Sequence, residues 1–234
     1  MKQTLLLRLA GPMQSWGAQS RFSIRDTGLE PSKSGVFGLL CAALGAPRND
    51  DETLRRLRES LVMGVRVDRE GVMKKDFHTA LEVARASKKR TDPVDQSNKP
   101  TEVSDRWYLA DADFLVGLES DDEALLRALN KALSHPVWQL FLGRKSFVPS
   151  LPVRVLNAPL EAPLLESLEK YDWKTDRKGL TPERLRVAID ARAERIPENW
   201  QTEIRQDVPL SFASRSFTIR QVKTGFIETP KGGA

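Results

Sequence analysis

The sequence has one cysteine, two histidines and two tyrosines in 234 residues, and each scarcity closes off a class of function. A lone Cys41 excludes an internal disulfide and any site built from several thiolates. Set in the apolar stretch from Val36 to Leu44, it reads as a small buried hydrophobe. No apolar run reaches the length of a membrane span. The one at the N-terminus, Met1 to Leu7, is interrupted by Arg8 and ended by Gly11-Pro12, far short of a signal or spanning segment. A cytoplasmic location with no membrane partner is expected. No phosphate-cradling glycine loop of the Walker type, no metal-ligand cluster and no Ser-His-Asp arrangement stands out, so neither cofactor nor metal is expected.

What is present is positive charge, unevenly placed. Residues 1–48 carry 6 − 2 = +4, residues 74–106 carry 8 − 6 = +2, residues 140–160 carry 3 − 0 = +3 and residues 205–234 carry 5 − 2 = +3, counting Lys and Arg against Asp and Glu. The stretches between them are neutral or acidic. Such alternation lets one folded face collect cations from distant segments, which suits a polyanionic partner, although scattered surface charge would give the same count.

Periodicity supplies a fold. Leu5, Leu7 and Leu9 alternate with Leu6, Arg8 and Ala10 in a first strand. Ser32 or Ser34 can cap a helix through Val36, Phe37, Leu39, Leu40, Ala43 and Leu44, stopped by Gly45 and Pro47. Asp50 to Leu61 reads as a shorter helix. Val62 to Val67 and Trp107 to Leu118 are β-rich, the second broken by Asp111 and Asp113. Asp121 opens an amphipathic helix with Leu125, Ala128, Leu129, Ala132 and Leu133 on one face, ended by His135-Pro136. Val137 to Leu142 and Val153 to Leu156 add one or two strands. The order is β-α-β-β-α-β, an α+β arrangement of the ferredoxin-like (RRM-like) kind shared by RNA-recognition folds. It places one domain at 1–156 and a small, proline-punctuated C-terminal subdomain at 157–234, with a helical stretch expected near Pro182 to Ile196.

Between about 69 and 106 the chain makes an excursion where a minimal fold would need only a tight turn. At its centre Arg85-Ala86-Ser87-Lys88-Lys89-Arg90 puts four cations in six residues, followed by the polar segment Thr91 to Pro100. A projecting basic arm fits this composition better than core.

Five short motifs then stand in order along the chain: Leu9-Ala10-Gly11-Pro12-Met13-Gln14-Ser15-Trp16-Gly17, Ser32-Lys33-Ser34-Gly35-Val36-Phe37-Gly38-Leu39-Leu40, Asp76-Phe77-His78-Thr79-Ala80-Leu81, Leu142-Gly143-Arg144-Lys145-Ser146-Phe147 and Phe212-Ala213-Ser214-Arg215. Together they resemble the CasD subunits of type I-E CRISPR surveillance complexes (Cascade), within the RAMP superfamily; the match is weakest at 157–206. The resemblance implies a ferredoxin-like body with a β-hairpin thumb at about 74–106. It also implies a non-catalytic role in antiviral defence: binding the 5′ handle of the CRISPR RNA (crRNA), beside CasC backbone subunits and the CasA large subunit, with target DNA reached through the assembled ribonucleoprotein.

The motif chemistry is consistent with RNA. Single strands are held by cations and amides on their phosphates and by planar groups on splayed bases. Lys33, Ser34 and the first amides of the helix form a candidate anion site. Gly143, Arg144, Lys145 and Ser146 form another, with arginine offering a two-pronged fork. Gln14 and Trp16 could read and stack a base, with Trp16 equally suited to the core, and Arg21 and Arg25 follow within reach. Lys88, Lys89, Arg90 and Arg106 complete the candidate RNA contacts. An alternative is a metal-independent endoribonuclease that processes CRISPR repeat RNA, which needs a base for the 2′-hydroxyl and an acid or cation opposite. His78, near Lys74, Lys75 and Tyr108, is the one histidine suitably placed for it, since His135 precedes a proline at a helix end.

Overall fold

Ser32 Oγ accepts the amide of Gly35 at 3.3 Å and opens helix α1 (Lys33–Leu44), which ends on Gly45 in the left-handed region at φ 74°. Asp50 caps α2 (Asp51–Ser60) through the amide of Thr53, and Asp122 caps α3 (Glu123–Ser134) through that of Leu125. Each cap satisfies an amide that the helix itself leaves open. The computed structural model describes residues 2–17, 24–81, 101–173 and 181–230. Among these the strands are β1 (Gln3–Ala10), β2 (Met13–Gln14), β3 (Ile24–Arg25), β4 (Val62–Arg69), β5 (Val72–Ala80), β6 (Glu102–Ala110), β7 (Asp113–Ser120), β8 (Arg184–Asp190), β9 (Gln201–Ser211) and β10 (Ser216–Glu228), with a short helix α4 (Leu164–Lys170) before β8. The class is α+β, and no helix among the described residues is long and apolar enough to cross a membrane.

One six-stranded sheet runs β1-β7-β4-β8-β10-β9, every neighbouring pair antiparallel. Its two faces are both covered. Leu5, Leu7, Leu9, Val65, Phe114 and Val116 pack under α1, α2 and α3, while Leu6, Leu115, Val187, Ile189 and Ile227 pack under α4 and Trp200. Burial on both faces explains why β1 and β7 read as near-continuous apolar runs instead of a clean alternation. Cys41 lies in the first of these cores, where burial pushes its thiol up to about 11, as a small hydrophobe requires. Helix α4 is too short to hold itself. Leu164, Leu165 and Leu168 bury against the sheet, each contributing roughly 1.5–3 kcal/mol. The fully buried Arg66 on β4 donates to the carbonyls of Leu168 and Tyr171, both at 2.6 Å, where a cation meets the helix's negative end. Asp68 neutralises it through two contacts at 2.6 and 3.0 Å.

The element order keeps the first five parts of the β-α-β-β-α-β expectation and departs in four places. The run from Trp107 to Leu118 is two strands, not one: Asp111, at φ 62°, turns the chain so that β6 leaves the large sheet and β7 enters it. No strand forms at Val137 to Leu142. At Val153 to Leu156 there is only the isolated bridge Leu7↔Arg154, joined further on by Thr4↔Leu160, so the last strand position beside β1 is held by three backbone bonds, one from Arg8 N to Val153 O and a reciprocal pair between Thr4 and Leu160. The helical stretch expected near Pro182 to Ile196 is strand β8, whose apolar residues Leu185, Val187 and Ile189 follow the two-residue period of a sheet. The strands beyond 157 extend the N-terminal sheet directly, because β8 pairs with β4 at Gly64↔Ile189, Val65↔Ala188 and Arg66↔Val187.

That join is reinforced by ions. Lys33, 1% exposed, donates to Asp190 at 2.8 Å and to the Leu61 carbonyl at 3.2 Å. Burial pushes its ammonium down to about 8, opposed by Asp190. Burial also pushes Asp190 and Asp207 up, but Lys33 for the first and Arg220 for the second outweigh it and hold both carboxyls below the usual range. Removing one member of a buried pair strands the other's charge, at about 3–5 kcal/mol. Asp190→Ala is therefore expected to cost about that much, since it leaves Lys33 uncompensated, while Lys33→Met costs less because Arg192 still reaches Asp190 at 3.2 Å. Equilibrium denaturant unfolding of the two variants checks the order; equal losses contradict it.

Candidate nucleic-acid interface

Strands β5 and β6 form the long hairpin of a second sheet, paired from Val72↔Ala110 to Ala80↔Glu102. The other edge of β6 is taken by β2 (Gln14↔Leu109) and, in parallel, by β3 (Arg25↔Arg106). Alternation along the hairpin sorts its side chains by face. Lys74, Asp76, His78, Ser104, Arg106 and Tyr108 share one face; Met73, Lys75, Phe77, Val103 and Trp107 share the other. On the first face Tyr108 packs its ring against Phe147, with centroids 5.9 Å apart.

The loop from Leu142 to Phe147 is pressed onto this hairpin base. Its own backbone closes it, Leu142 N to Phe147 O at 2.7 Å and Phe147 N to Arg144 O at 2.8 Å, and Ser15 N donates to Leu142 O at 3.1 Å. Gly143 sits at φ 89°, and a Cβ there would lie 1.7 Å from the Ser15 carbonyl oxygen. Only glycine permits both that backbone angle and that approach. Arg144 then lies over the Phe147 ring at 5.2 Å and donates to the Trp107 carbonyl at 2.7 Å.

The result is an open cavity of about 300 Å³ lined by Ser15, Gly17, Arg25, Asp26, Arg106, Gly143 and Arg144. Three guanidinium groups from three separate segments meet there. Burial pushes Arg144 below the usual guanidinium range, and Arg106 and Arg25 push it the same way, against Asp76. Crowded cations beside exposed glycine backbone favour a ligand that is anionic and rich in acceptor oxygens.

Comparison with known proteins shows the family. The family model described as CRISPR-associated protein (Cas_Cas5) matches residues 4–223. The chain belongs to that family. A Cas5-family relative, CRISPR system Cascade subunit CasD of Escherichia coli (strain K12), is 38% identical over 156 residues, 62% of this chain and 67% of the relative. A solved structure described as a Cas protein superposes with a TM-score of 0.72 at 40% identity, covering 98% of both chains. A chain of a CRISPR RNA-guided surveillance complex superposes at 0.75 and 34% identity, covering 97% of this chain and 91% of that one.

Within this Cas5-family chain, most of the motif residues turn out to hold one another. Gln14 is fully buried: its amide nitrogen donates to the carbonyls of Leu9 and Ala112, both at 2.8 Å, and its oxygen accepts from the Trp16 indole at 3.1 Å. Trp16 is buried too, flat against α1, where a Cβ on Gly35 would meet its ring at 2.8 Å. Neither can read or stack a base. Lys33 is likewise withdrawn into the core, and the expected anion site at the start of α1 is already filled, since the Lys33 amide donates to Asp207 Oδ2 at 2.8 Å. Ser34 is half-buried, 3.3 Å from the Ser32 hydroxyl. Phe212 packs over Gly38.

Of the remaining expected contacts, Arg25, Arg106, Gly143 and Arg144 converge on the cavity, whereas Lys145 and Ser146 are exposed on the same loop outside its lining. Arg21, Lys88, Lys89 and Arg90 lie outside the described residues. Sequence reasoning missed Ser15 and Gly17 as lining residues, although both stand in the first motif, and Asp76 as the acid that tempers the arginines. It had no access to Asp207, whose partner is 174 positions away.

Gly143→Ala tests the geometry, because strain of this kind costs roughly 1–3 kcal/mol. It is expected to lower the chemical denaturation midpoint accordingly, while the exposed Lys145→Ala stays within about 0.5 kcal/mol of the native chain. Equal midpoints for the two variants contradict the assigned contact.

Proposed function

We propose that this Cas5-family chain is a Cascade subunit that holds the 5′ handle of the guide RNA in the cavity at the base of its thumb hairpin, and that it acts without cutting. The observation that carries the reading is the meeting of Arg25, Arg106 and Arg144 with the glycine-bearing loops at Gly17 and Gly143. Flexible phosphates fit arginine forks and exposed amides; splayed bases fit the aromatic and apolar side chains around them. The hairpin projecting beside the cavity carries exposed Phe77, Val103 and Met73 on its other face, which suits a protein neighbour laid across the bound strand. In this reading that neighbour is a CasC backbone subunit, which the chain caps, with CasA adjoining and target DNA engaged by the assembly. The similarity to CasD and to a chain of an RNA-guided surveillance complex supports it.

Arg106→Gln with Arg144→Gln should release guide RNA at lower salt and flatten the salt dependence of binding by about 0.7 per lost phosphate contact. Equal slopes for the native chain and the double arginine variant in a filter-binding titration contradict the site.

One observation favours a second reading, an endoribonuclease: the register Asp76↔Arg106 and His78↔Ser104 sets His78 diagonally from Arg106 on the face that leads to the cavity. A base and a cation so placed have the chemistry for metal-independent cleavage. The proposed role predicts otherwise. Purified protein incubated with repeat RNA in chelator should leave it intact, and His78→Ala should change neither that result nor processing in the assembled system. Specific cleavage lost in His78→Ala overturns the non-catalytic reading.

A further inference from the structure

A second basic concavity lies at the opposite end of β4 from the thumb. Lys33, Arg58, Asp190, Arg192, Ile219, Arg220 and their neighbours surround an open space of about 420 Å³. Leu61, whose carbonyl Lys33 and Arg192 share, directly precedes β4, while the thumb follows Arg69 at its other end. The eight residues of β4 separate the two, seven steps or roughly 23 Å at ~3.3 Å each. The two cavities have no lining residue in common.

Charge in this concavity is in excess after its internal pairs are counted. Four cations, Lys33, Arg58, Arg192 and Arg220, stand against the three carboxylates that pair with them, Asp190, Asp207 and Glu59, leaving 4 − 3 = +1. Arg220 spends its Nε and Nη2 on Asp207 at 2.7 and 2.9 Å. Arg192 spends the same two nitrogens on Asp190 and the Leu61 carbonyl, yet its side chain is half exposed. Among the described residues Arg58 meets only Glu59, at 3.7 Å, a carboxylate that Arg55 already holds at 2.6 Å. A guanidinium has five N–H donors and no acceptor, so donors remain at the rim with the carboxylates already engaged. Burial pushes the Lys33 ammonium down to about 8, and Arg192 and Arg220 add to that push.

We infer that this concavity is a second nucleic-acid contact, binding a backbone phosphodiester of an RNA or DNA strand through Arg58, Arg192 and Arg220. A phosphodiester offers two charged oxygens and no donor, the complement of what the rim presents. It also brings a sugar, for which the exposed Ile219 on the same rim provides an apolar seat. Apart from Lys33 at the start of α1, none of the five motifs contributes a lining residue, nor does the described part of the thumb, so the contact is separate from the handle site.

The test uses Arg58→Gln, which leaves the Lys33–Asp190–Arg192 network intact, and the double variant Arg58→Gln/Arg192→Gln. Each is made in the native chain and in the Arg106→Gln/Arg144→Gln background, so that a failure of the handle reading is seen separately, as a background that binds like the native chain. Binding of a 20-nucleotide RNA and of a 20-base-pair DNA duplex is titrated against salt, with thermal unfolding as the folding control. In both backgrounds the double variant should weaken at least one of the two nucleic acids several-fold and lower its salt slope, by about 0.7 for the RNA or about 0.9 for the duplex per phosphate lost. The single variant should show part of that loss. Which nucleic acid responds assigns the source of the phosphate. Unchanged affinity and slope for both overturn the inference. So does a loss confined to binding of a polyglutamate peptide, which would make the concavity a seat for an acidic protein surface.

Discussion

The side-chain amide of Gln14 sits where the two sheets part, and the arrangement around it depends on its three hydrogen bonds. The Leu9 and Ala112 carbonyls belong to the chain just inside β1 and just before β7, where strand pairing in the large sheet runs out. A buried carbonyl without a partner costs on the order of 1–3 kcal/mol, and here one amide group serves two of them. Its oxygen then fixes the Trp16 indole, and Trp16 fixes the entry of the chain onto α1 through the gap that Gly35 leaves. The backbone of Trp16 is pinned from its other side by the Thr27 hydroxyl at 2.9 Å and the Gly28 amide at 3.3 Å. With the stretch from 14 to 17 held this firmly, Ser15 can accept the close approach of Gly143, and the loop carrying Arg144 acquires a fixed seat.

A second constraint joins the halves of the chain. The start of α1 would offer open amides to any anion, yet Asp207 from β9 fills it, and Asp190 from β8 takes the Lys33 ammonium beside it. A little further round, Glu30 pairs with both Arg186 and Arg205. Buried ion pairs contribute little net stability against apolar replacements of the same shape, but a mispaired one is costly. Their value here is positional: the C-terminal strands have one register in which each carboxylate meets its cation.

These two constraints explain what could be read from the sequence. Periods and caps are local, so β1, α1, α2, β4 and α3 were legible from Leu5, Ser32, Asp50 and the leucines of α3. The arm at 74–106 was legible as an excursion, and the hairpin of β5 and β6 is its described part. What was not legible depends on partners far away in sequence. Lys33 looks like a surface cation until Asp190 and Asp207, 157 and 174 positions on, are brought to it. Gln14 and Trp16 look like a reader and a stacker because polar and aromatic residues in a glycine-flanked loop so often are. The signal that they are structural is the pairing of Gly35 with Trp16, which only folding reveals. Residues 182–196 carry helix-forming Arg, Ala and Glu, but the apolar positions repeat every second residue, and burial against α4 and Trp200 outweighs propensity.

The same division between local and distant explains why short motifs identify the family better than they locate its site. Gly11, Gly35, Gly38 and Gly143 are each met at close range by a side chain or backbone, and the residues that meet them are Leu142, Trp16, Phe212 and Ser15 respectively. Four of the five motifs are therefore packing partners of one another. Their spacing in sequence is fixed by a shared junction, and a substitution in one has to be answered in another. The cations that face the cavity are under a looser constraint. Arg25 and Arg106 are set by the pairing of β3 with β6 and Arg144 by the loop behind Gly143, and their forks need only converge on a flexible polyanion. A closely packed scaffold thus carries a charged surface, and the motifs fix the place of the site while the arginines give it its character.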